Sequence, residues 1–382
     1  MWNSQGKFAA TYPGQLTMRH NFQWVSHLLA HAVEAGDFPG AVLAVGYGGH
    51  LVFEAAVGNA ALVPAARCMT LETAFDLASL TKPMATATAV MRLVDAGQVR
   101  LDAPLNAYIA ASGRAGEVSP TVRQLLSHCG GLPAWQPYYR RLDPALPQAT
   151  RRRAVYDAVH REPLIAPPAM TVQYSDVGFI LLGELVETVT GVTLDAFCRQ
   201  EIFQALQLGG MSFMNLTQPR PAGRSYASTE ACPWRRCILE GAVHDENAWI
   251  MGGVAGHAGL FATAREVWQF AQSLLAGLAG KSWLVSRATL QAFTQPQSSP
   301  PGSTRALGWD TPTPGHSSAG RYFSPTSIGH LGFTGTSLWI DPVRHVIVVL
   351  LTNRVHPSRQ REGIKAFRPR LHDAVMQALQ LA

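Results

Sequence analysis

Lysine is almost missing from this chain of 382 residues: Lys7, Lys82, Lys281 and Lys365 stand beside 27 arginines. Charge of either sign is thin, at 15% of residues against 47% hydrophobic, which excludes a disordered or solvating chain. The formal net charge is +6, and the arginines cluster at Arg140-Arg141, Arg151-Arg152-Arg153 and along 359–370. No cluster interleaves with aromatics on a groove-reading helix, so these read as solvated surface and no nucleic-acid partner is expected. Long apolar runs are absent as well. The longest, near 346–351, falls far short of the roughly 18 residues a membrane span needs, so none is expected. The opening MWNSQGKFAATYPGQ lacks a basic start followed by an apolar stretch, which predicts a cytoplasmic protein without a secretory signal. Cysteine is sparse and odd in number: Cys68, Cys129, Cys198, Cys232 and Cys237. That set suits reduced thiols, and Cys232 and Cys237 have no second ligand pair to make a zinc site. The 34 glycines and 25 prolines have no period, which excludes collagen and solenoids.

What is present is an alternation of element types along the chain. Residues 1–22 show no periodicity and read as an N-terminal arm. Phe22, Val25, Leu28, Leu29 and Val33 then recur at helical spacing up to Gly36. Strands are expected at 41–47 and 51–57 around a Gly48-Gly49 turn. Helical patterns follow at 85–96, 122–127 and 177–189, and again from Thr263, where Glu266 completes a capping box. Strands return at 337–340 and 346–352 around Asp341-Pro342, and a last helix is expected over about 370–381. The class is α+β: an antiparallel sheet built from both chain ends and flanked by helices, with a mostly helical lobe inserted. The expected division is an α/β lobe of about 23–75 and 304–382 and a helical lobe of about 76–303, all one domain. The cleft between the lobes is the expected site.

The chemistry begins at Ser79-Leu80-Thr81-Lys82. On a helix, Ser and Lys three apart share a face, so the amine can reach the hydroxyl and take its proton. Ser4 and Lys7 have the same spacing but sit in the arm. Ser79 follows Phe75-Asp76-Leu77-Ala78, and a strand-to-helix transition there would aim backbone N–H groups at an oxyanion. Candidate second proton carriers are Tyr174-Ser175-Asp176, Tyr226-Ala227-Ser228 and Tyr322-Phe323-Ser324. Of these, Tyr174 directly precedes a strong amphipathic helix. Candidate third elements are His128-Cys129-Gly130, His257-Ala258-Gly259 and His330-Leu331-Gly332. His330 leads into the C-terminal strands, where Gly332 would let a substrate backbone approach closely.

The segments FDLASLTKP, LLSHCGGLP, YSDVGFILLGELVETVTG, GGVAGHAGLFATAREV and GHLGFTGTSLWIDP resemble the serine β-lactamase and penicillin-binding-protein-like superfamily. The resemblance covers about residues 27–380 and is nearest to class C enzymes, D-amino-acid peptidases and family VIII esterases. It implies Ser79 as acyl-accepting nucleophile, Lys82 as proton acceptor or its partner, and Tyr174 as proton shuttle. It also implies His330-Leu331-Gly332 as the third motif and the amides of Ser79 and Phe333 as the oxyanion hole. Asp176 departs from the Asn common in the Tyr motif: a carboxylate near Lys82 favours the charged amine. His330 departs from lysine, and a neutral imidazole holds a substrate carboxylate less firmly. Both departures weigh against efficient β-lactam hydrolysis.

Two further segments invite a metal reading. Val243 to Ala248 carries His244, Asp245, Glu246 and Asn247, to which His257 could be added; a hydrogen-bonded loop beside the cleft is the plainer reading. His27 and His31, four apart, read as one helix face. The expected function is a serine hydrolase forming an acyl-enzyme on small esters or D-amino-acid-containing peptides or amides, needing no metal or organic cofactor. The alternatives are a β-lactamase and a catalytically silent binding module.

Overall fold

The computed structural model describes residues 20–110 and 118–382. The expected arm therefore lies outside the described residues except for its last three, and its final residue is not loose. Phe22 is buried and stacks on Phe53 with ring centroids 4.5 Å apart.

The elements follow the chain in order. Helix α1 (Gln23–Glu34) leads into strands β1 (Gly40–Tyr47), β2 (His50–Ala61), β3 (Arg67–Cys68) and β4 (Phe75–Asp76). The middle of the chain supplies α2 (Thr88–Asp95), α3 (Val122–Leu126), α4 (Gln148–His160), α5 (Asp176–Thr190), α6 (Leu194–Cys198) and β5 (Ser212–Phe213). Then come β6 (Ser228–Cys232), β7 (Cys237–Glu240), α7 (Glu246–Ile250), β8 (Leu260–Ala262), α8 (Ala264–Leu278) and α9 (Arg287–Thr294). Strands β9 (Ile328–Leu331), β10 (Ser337–Asp341) and β11 (Val346–Thr352) precede the last helix, α10 (Ile364–Ala378).

One antiparallel sheet organises the fold, with strand order β3-β2-β1-β11-β10-β9. Strands from the two ends of the chain meet at its centre, where Ala41 faces Thr352 and Tyr47 faces Val346. Pleating sends alternate residues to opposite faces. Val346, Val348 and Leu350 pack with Val25, Leu29, Leu371 and Val375 of α1 and α10. Ile347, Val349 and Leu351 pack on the other side with Val267, Phe270 and Leu274 of α8. Burial on both faces is why β11 reads as an unbroken apolar run rather than an alternation.

Several boundaries move, each for a visible reason. Strand β2 continues to Ala61 because its far end pairs with β3. The helix expected at 85–96 begins earlier, as a wide π-type turn over Lys82–Ala87 that tightens into α2. The last helix starts at Ile364 rather than near 370; Pro369 lies inside it and forgoes one backbone bond. The Thr263/Glu266 capping box forms as expected. The arginine clusters are not all solvated surface. Arg152 pairs with Glu187, and Arg368 is buried. Among the described residues no single helix is long and apolar enough to cross a membrane.

Candidate active site

Ser79 sits where β4 gives way to a single 3-10 turn, Ala78–Leu80. The turn is forced by Ala78, which takes a positive φ of 47° that L-residues rarely adopt. Asp76 holds it there. One carboxylate oxygen of this buried residue accepts from the Ala78 amide at 2.9 Å and the other from the His244 amide at 2.6 Å. Burial raises the Asp76 pKa, although those two amides oppose it.

Lys82 is wholly buried, donates two hydrogen bonds and makes one ion pair. Its Nζ lies 2.9 Å from Ser79 Oγ, 3.0 Å from the His257 carbonyl and 2.6 Å from Asp176 Oδ1. Burial pushes toward the neutral amine, but Asp176 and the Tyr174 oxygen outweigh it and hold the Lys82 pKa above its ordinary value. An ammonium is the resting state. Asp176 is thus turned toward Lys82 rather than out toward substrate, as the first residue of α5. The Ser175 hydroxyl caps that helix by accepting from the Gly178 amide at 3.1 Å, while donating to the Pro133 carbonyl at 2.7 Å.

Tyr174 is fixed just before that cap. Its phenol is within hydrogen-bonding reach of both Lys82 and Ser79, and its ring centroid lies 5.0 Å from Lys82 Nζ. Burial raises its pKa against the pull of Lys82, so it rests as the phenol. The other two tyrosine candidates are elsewhere: Tyr226 packs on Phe261, and Tyr322 packs under α10.

The three His-x-Gly segments, read from sequence as rivals for one role, all converge here with different roles. His128 lies against the Tyr174 ring, centroids 4.4 Å apart, and its Nδ1 accepts from the Ser175 amide. His257 gives its carbonyl to Lys82 and its ring to Asp245, with Nε2 2.8 Å from Oδ1. Burial would raise the Asp245 pKa, but His257 and the Ala248 amide hold it well below the carboxylate range. His330, on edge strand β9, lies 5.9 Å from the Tyr174 ring. Burial, with Lys82 and Arg305 nearby, keeps His330 neutral. Its Nδ1 donates to the Leu331 carbonyl at 2.9 Å, leaving Nε2 as an unpartnered acceptor. Such a group repels a carboxylate and suits a donor.

Gly332 lines the cleft, and its missing side chain also serves the packing of the site. A Cβ there would lie 2.0 Å from Thr336 Oγ1 and 2.6 Å from the Leu77 carbonyl, so only glycine lets this turn lie against the loop that carries Ser79. Two hydroxyls fasten the turn after β9 to that loop: Thr334 donates to the Asp76 carbonyl at 2.8 Å and Thr336 to the Leu77 carbonyl at 3.0 Å. Among the described residues the amides of Ser79 and Phe333 donate to no backbone carbonyl, which leaves them available to an oxyanion. Gly256 does the matching task on the other wall. A Cβ there would meet the Phe179 carbonyl at 1.9 Å, so only glycine lets the 252–259 loop lie on α5 and bring the His257 carbonyl to Lys82.

These groups open into a cleft of about 600 Å³, lined also by Trp135, Asp310 and the half-exposed Phe333. The polar segment at 244–247 forms one of its walls. Its groups are divided among separate partners: His244 with Glu230, Asp245 with His257, Glu246 with Arg359. His27 and His31 are exposed on α1. Cys232 and Cys237 face each other across the β6–β7 hairpin as free thiols. Among the described residues no group of three or more metal-ligating side chains converges.

A family model described as Beta-lactamase matches residues 25–368. The chain belongs to the β-lactamase family. Within this family it is a serine hydrolase, and it is similar to a D-alanyl-D-alanine carboxypeptidase, so named, of Escherichia coli O157:H7. The two are 33% identical over 373 residues, covering 87% of this chain and 81% of that protein. It is 32% identical over 361 residues to the N-acetylmuramyl-L-alanine amidase of Bacillus subtilis (strain 168), covering 87% and 80%. Among solved structures, EstCE1, titled a hydrolase with promiscuous acyltransferase activity, superposes with a TM-score of 0.73 at 22% identity over 92% of this chain and 97% of that one. That likeness speaks for the fold. The residues that sequence alone passed over are Asp76, Thr334 and Thr336. Asp76 was in view inside FDLAS, whereas two threonines in a turn carry no signal of what they fasten.

Proposed function

We propose that this β-lactamase-family protein hydrolyses an amide of a small cell-wall-type peptide through an acyl-enzyme on Ser79. One observation carries the reading: Ser79, Lys82, Tyr174 and Asp176 form a continuous chain of proton-bearing contacts beside two free amides. Attack by Ser79 Oγ on the substrate carbonyl forms the C–O bond and drives the carbonyl electrons onto an oxyanion between the Ser79 and Phe333 amides. The proton of Ser79 passes to Lys82 as Lys82 hands one to Asp176, so the ammonium is present before and after the step. When the C–N bond breaks, the Tyr174 phenol protonates the leaving amine. Lys82 restores the phenol, and Asp176 returns its proton to Lys82. Water then repeats the sequence on the acyl-enzyme.

The relatives' names support an amide substrate, since one is named for a D-alanyl-D-alanine carboxypeptidase and the other for an N-acetylmuramyl-L-alanine amidase. Five free thiols suit a cytoplasmic enzyme, which would meet such peptides as recycled fragments. The test offers the protein N-acetylmuramyl-L-alanine, an acylated D-alanyl-D-alanine peptide, benzylpenicillin and p-nitrophenyl acetate, with products and intact protein mass followed together. Cleavage of either amide, and its loss in Ser79→Ala, is expected. Turnover of the acetate alone would make the protein an esterase, and rapid loss of benzylpenicillin would make it a β-lactamase.

A further inference from the structure

Beside the wall of the cleft, the β6–β7 hairpin sets two thiols opposite each other. Cys232 pairs with Cys237 in the register of the strands, and the Arg236 amide closes the tip by donating to the Cys232 carbonyl at 2.8 Å. Residues directly opposite in an antiparallel pair stand about 4.5–5.5 Å apart at Cα, inside the span that a disulfide bridges. The two sulfurs differ in access. Cys237 is exposed and Cys232 is buried, and both are free.

What the buried sulfur holds is Arg235. Cys232 Sγ accepts from the Arg235 amide and from its Nη1, each at 3.4 Å. The same guanidinium packs against the rings of Trp234 and Trp249, its carbon 5.0 and 5.3 Å from their centroids. Both of its Nη atoms donate to the His244 carbonyl at 3.1 Å, and Nη2 also donates to the Asp245 carbonyl at 3.2 Å. His244 and Asp245 line the cleft; Asp245 holds the His257 ring, and the His257 carbonyl holds Lys82. An unbroken run of direct contacts therefore leads from Cys232 to Lys82.

We propose that Cys232 and Cys237 are a modification site: a dithiol that exchanges with small disulfides of the glutathione class and, once closed, slows the enzyme by loosening the hold of Arg235 on the cleft wall. Exposed Cys237 attacks one sulfur of the small disulfide and forms a mixed disulfide, and the first small thiol leaves with the Cys237 proton. The Cys232 sulfur then attacks the Cys237 sulfur, and the second small thiol leaves with the Cys232 proton. Two cysteines are oxidised and one small disulfide is reduced to two thiols. Once bonded to Cys237, the Cys232 sulfur is placed by that bond rather than by Arg235. The Arg235 amide and Nη1 lose their acceptor, and the clasp on His244 and Asp245 slackens. Excess small thiol runs both steps backwards. The bond stands apart from the acyl-enzyme reading, while its effect on rate rests on it.

The test treats the full chain with oxidised or reduced glutathione in a Cys68→Ser background, which removes the other exposed thiol. After the glutathione is removed, disulfides are located by peptide mapping, and kcat/KM is measured on whichever of the four substrates above is turned over. Oxidation should join Cys232 to Cys237 and lower kcat/KM by about tenfold, short of the roughly 10²-fold of a group displaced outright. Reduced glutathione should restore the rate. Cys237→Ser should keep the reduced rate and ignore oxidised glutathione, and Cys232→Ser should ignore it too. Arg235→Gln should show the lowered rate while reduced and lose little more on oxidation, because both changes act through one contact. Absence of the bond, a bond that leaves kcat/KM unchanged, or full sensitivity in Arg235→Gln overturns the proposal. If neither redox state turns over any of the four substrates, it is the acyl-enzyme reading that has failed. The peptide map then decides the thiol site alone: a Cys232–Cys237 bond upholds it, and its absence refutes it.

Discussion

The two ends of the cleft treat positive charge in opposite ways. At the Ser79 end, Lys82 is compensated: it donates to a hydroxyl and a carbonyl, and an ion pair with a carboxylate holds it charged. At the α10 end, among the described residues, Arg354 and Arg368 bond carbonyls alone. A cation that carries its counter-ion inside the protein can pass protons without changing the net charge of the site. One held by carbonyls orients them instead: Arg354 and Arg368 grip the turn that carries Phe333. The first arrangement suits chemistry and the second scaffolding, and one cleft contains both.

The comparison breaks most completely at Ser79. Replacing it by Ala should abolish turnover and acyl adduct formation while circular dichroism and Tm stay close to wild type, because Ser79 anchors no other element. A Ser79→Ala protein with residual turnover by the same kinetics would remove the nucleophile end from the argument. Next in size is Gly332→Ala. The added Cβ has to displace Thr336 and the Leu77 carbonyl, which moves the Phe333 amide away from Ser79. Loss of one oxyanion donor costs on the order of 10² to 10³ in kcat, and a steady-state assay on a neutral ester measures it.

Asp176→Asn sharpens the contrast, since it strips Lys82 of its counter-ion and makes it resemble the arginines. With the carboxylate gone, burial dominates and the Lys82 pKa falls below its ordinary value instead of lying above it. The proton of Ser79 then has no acceptor until Lys82 titrates. Acylation at pH 7 should drop by roughly 10- to 100-fold, within the range of a positioned acid–base group, and recover as pH rises. Wild type should show no such climb from neutral pH. A variant as fast as wild type at pH 7, with an unshifted pH–rate profile, would take Asp176 out of the proton path.

The smallest effect belongs to a paired cation at the α10 end. Arg359 bonds Glu230 and Glu246, so Arg359→Gln should cost about 1–2 kcal/mol of stability in denaturant unfolding, discounted for its partial exposure. It should leave kcat/KM on a neutral ester near the wild-type value, whereas Arg368→Gln, which releases the Gly332 and Thr336 carbonyls, should lower it. Equal losses in the two variants would mean that pairing does not distinguish the two sets of arginines.

Much of this was legible in the sequence, and the reason differs from residue to residue. Ser79 and Lys82 could be found because helical spacing alone puts them together, and Tyr174 because a cap and an amphipathic helix follow it directly. The Thr263/Glu266 box was legible for the same local reason. Asp176 was visible as a conflict with Lys82, but the sequence could not say which way its carboxylate faced; α5 decides that by starting one residue after the Ser175 cap. His128, His257 and His330 looked like competitors because a one-dimensional pattern cannot show three separate segments, one of them strand β9, gathering around Lys82 and Tyr174. The arginines misled. A run of them near the C-terminus looks like solvated surface, yet α10 begins at Ile364 rather than near 370 and takes in Arg368 on its buried side.

The central pairing of β1 with β11 also bears on how the molecule is made. The Gly40 amide is satisfied by the side chain of Asn353, 313 positions away, and Thr334 and Thr336, which fasten the Ser79 loop, come only with the last three strands of the sheet. During synthesis the β1–β2 hairpin therefore waits with one edge unpaired while some three hundred residues emerge, a long-range closure that favours slow folding and exposure to wrong partners. The same delay is protective. A chain still being made already carries Ser79 and Lys82 but lacks Thr334 and Thr336, so the loop that presents Ser79 is not fastened until the last strands arrive.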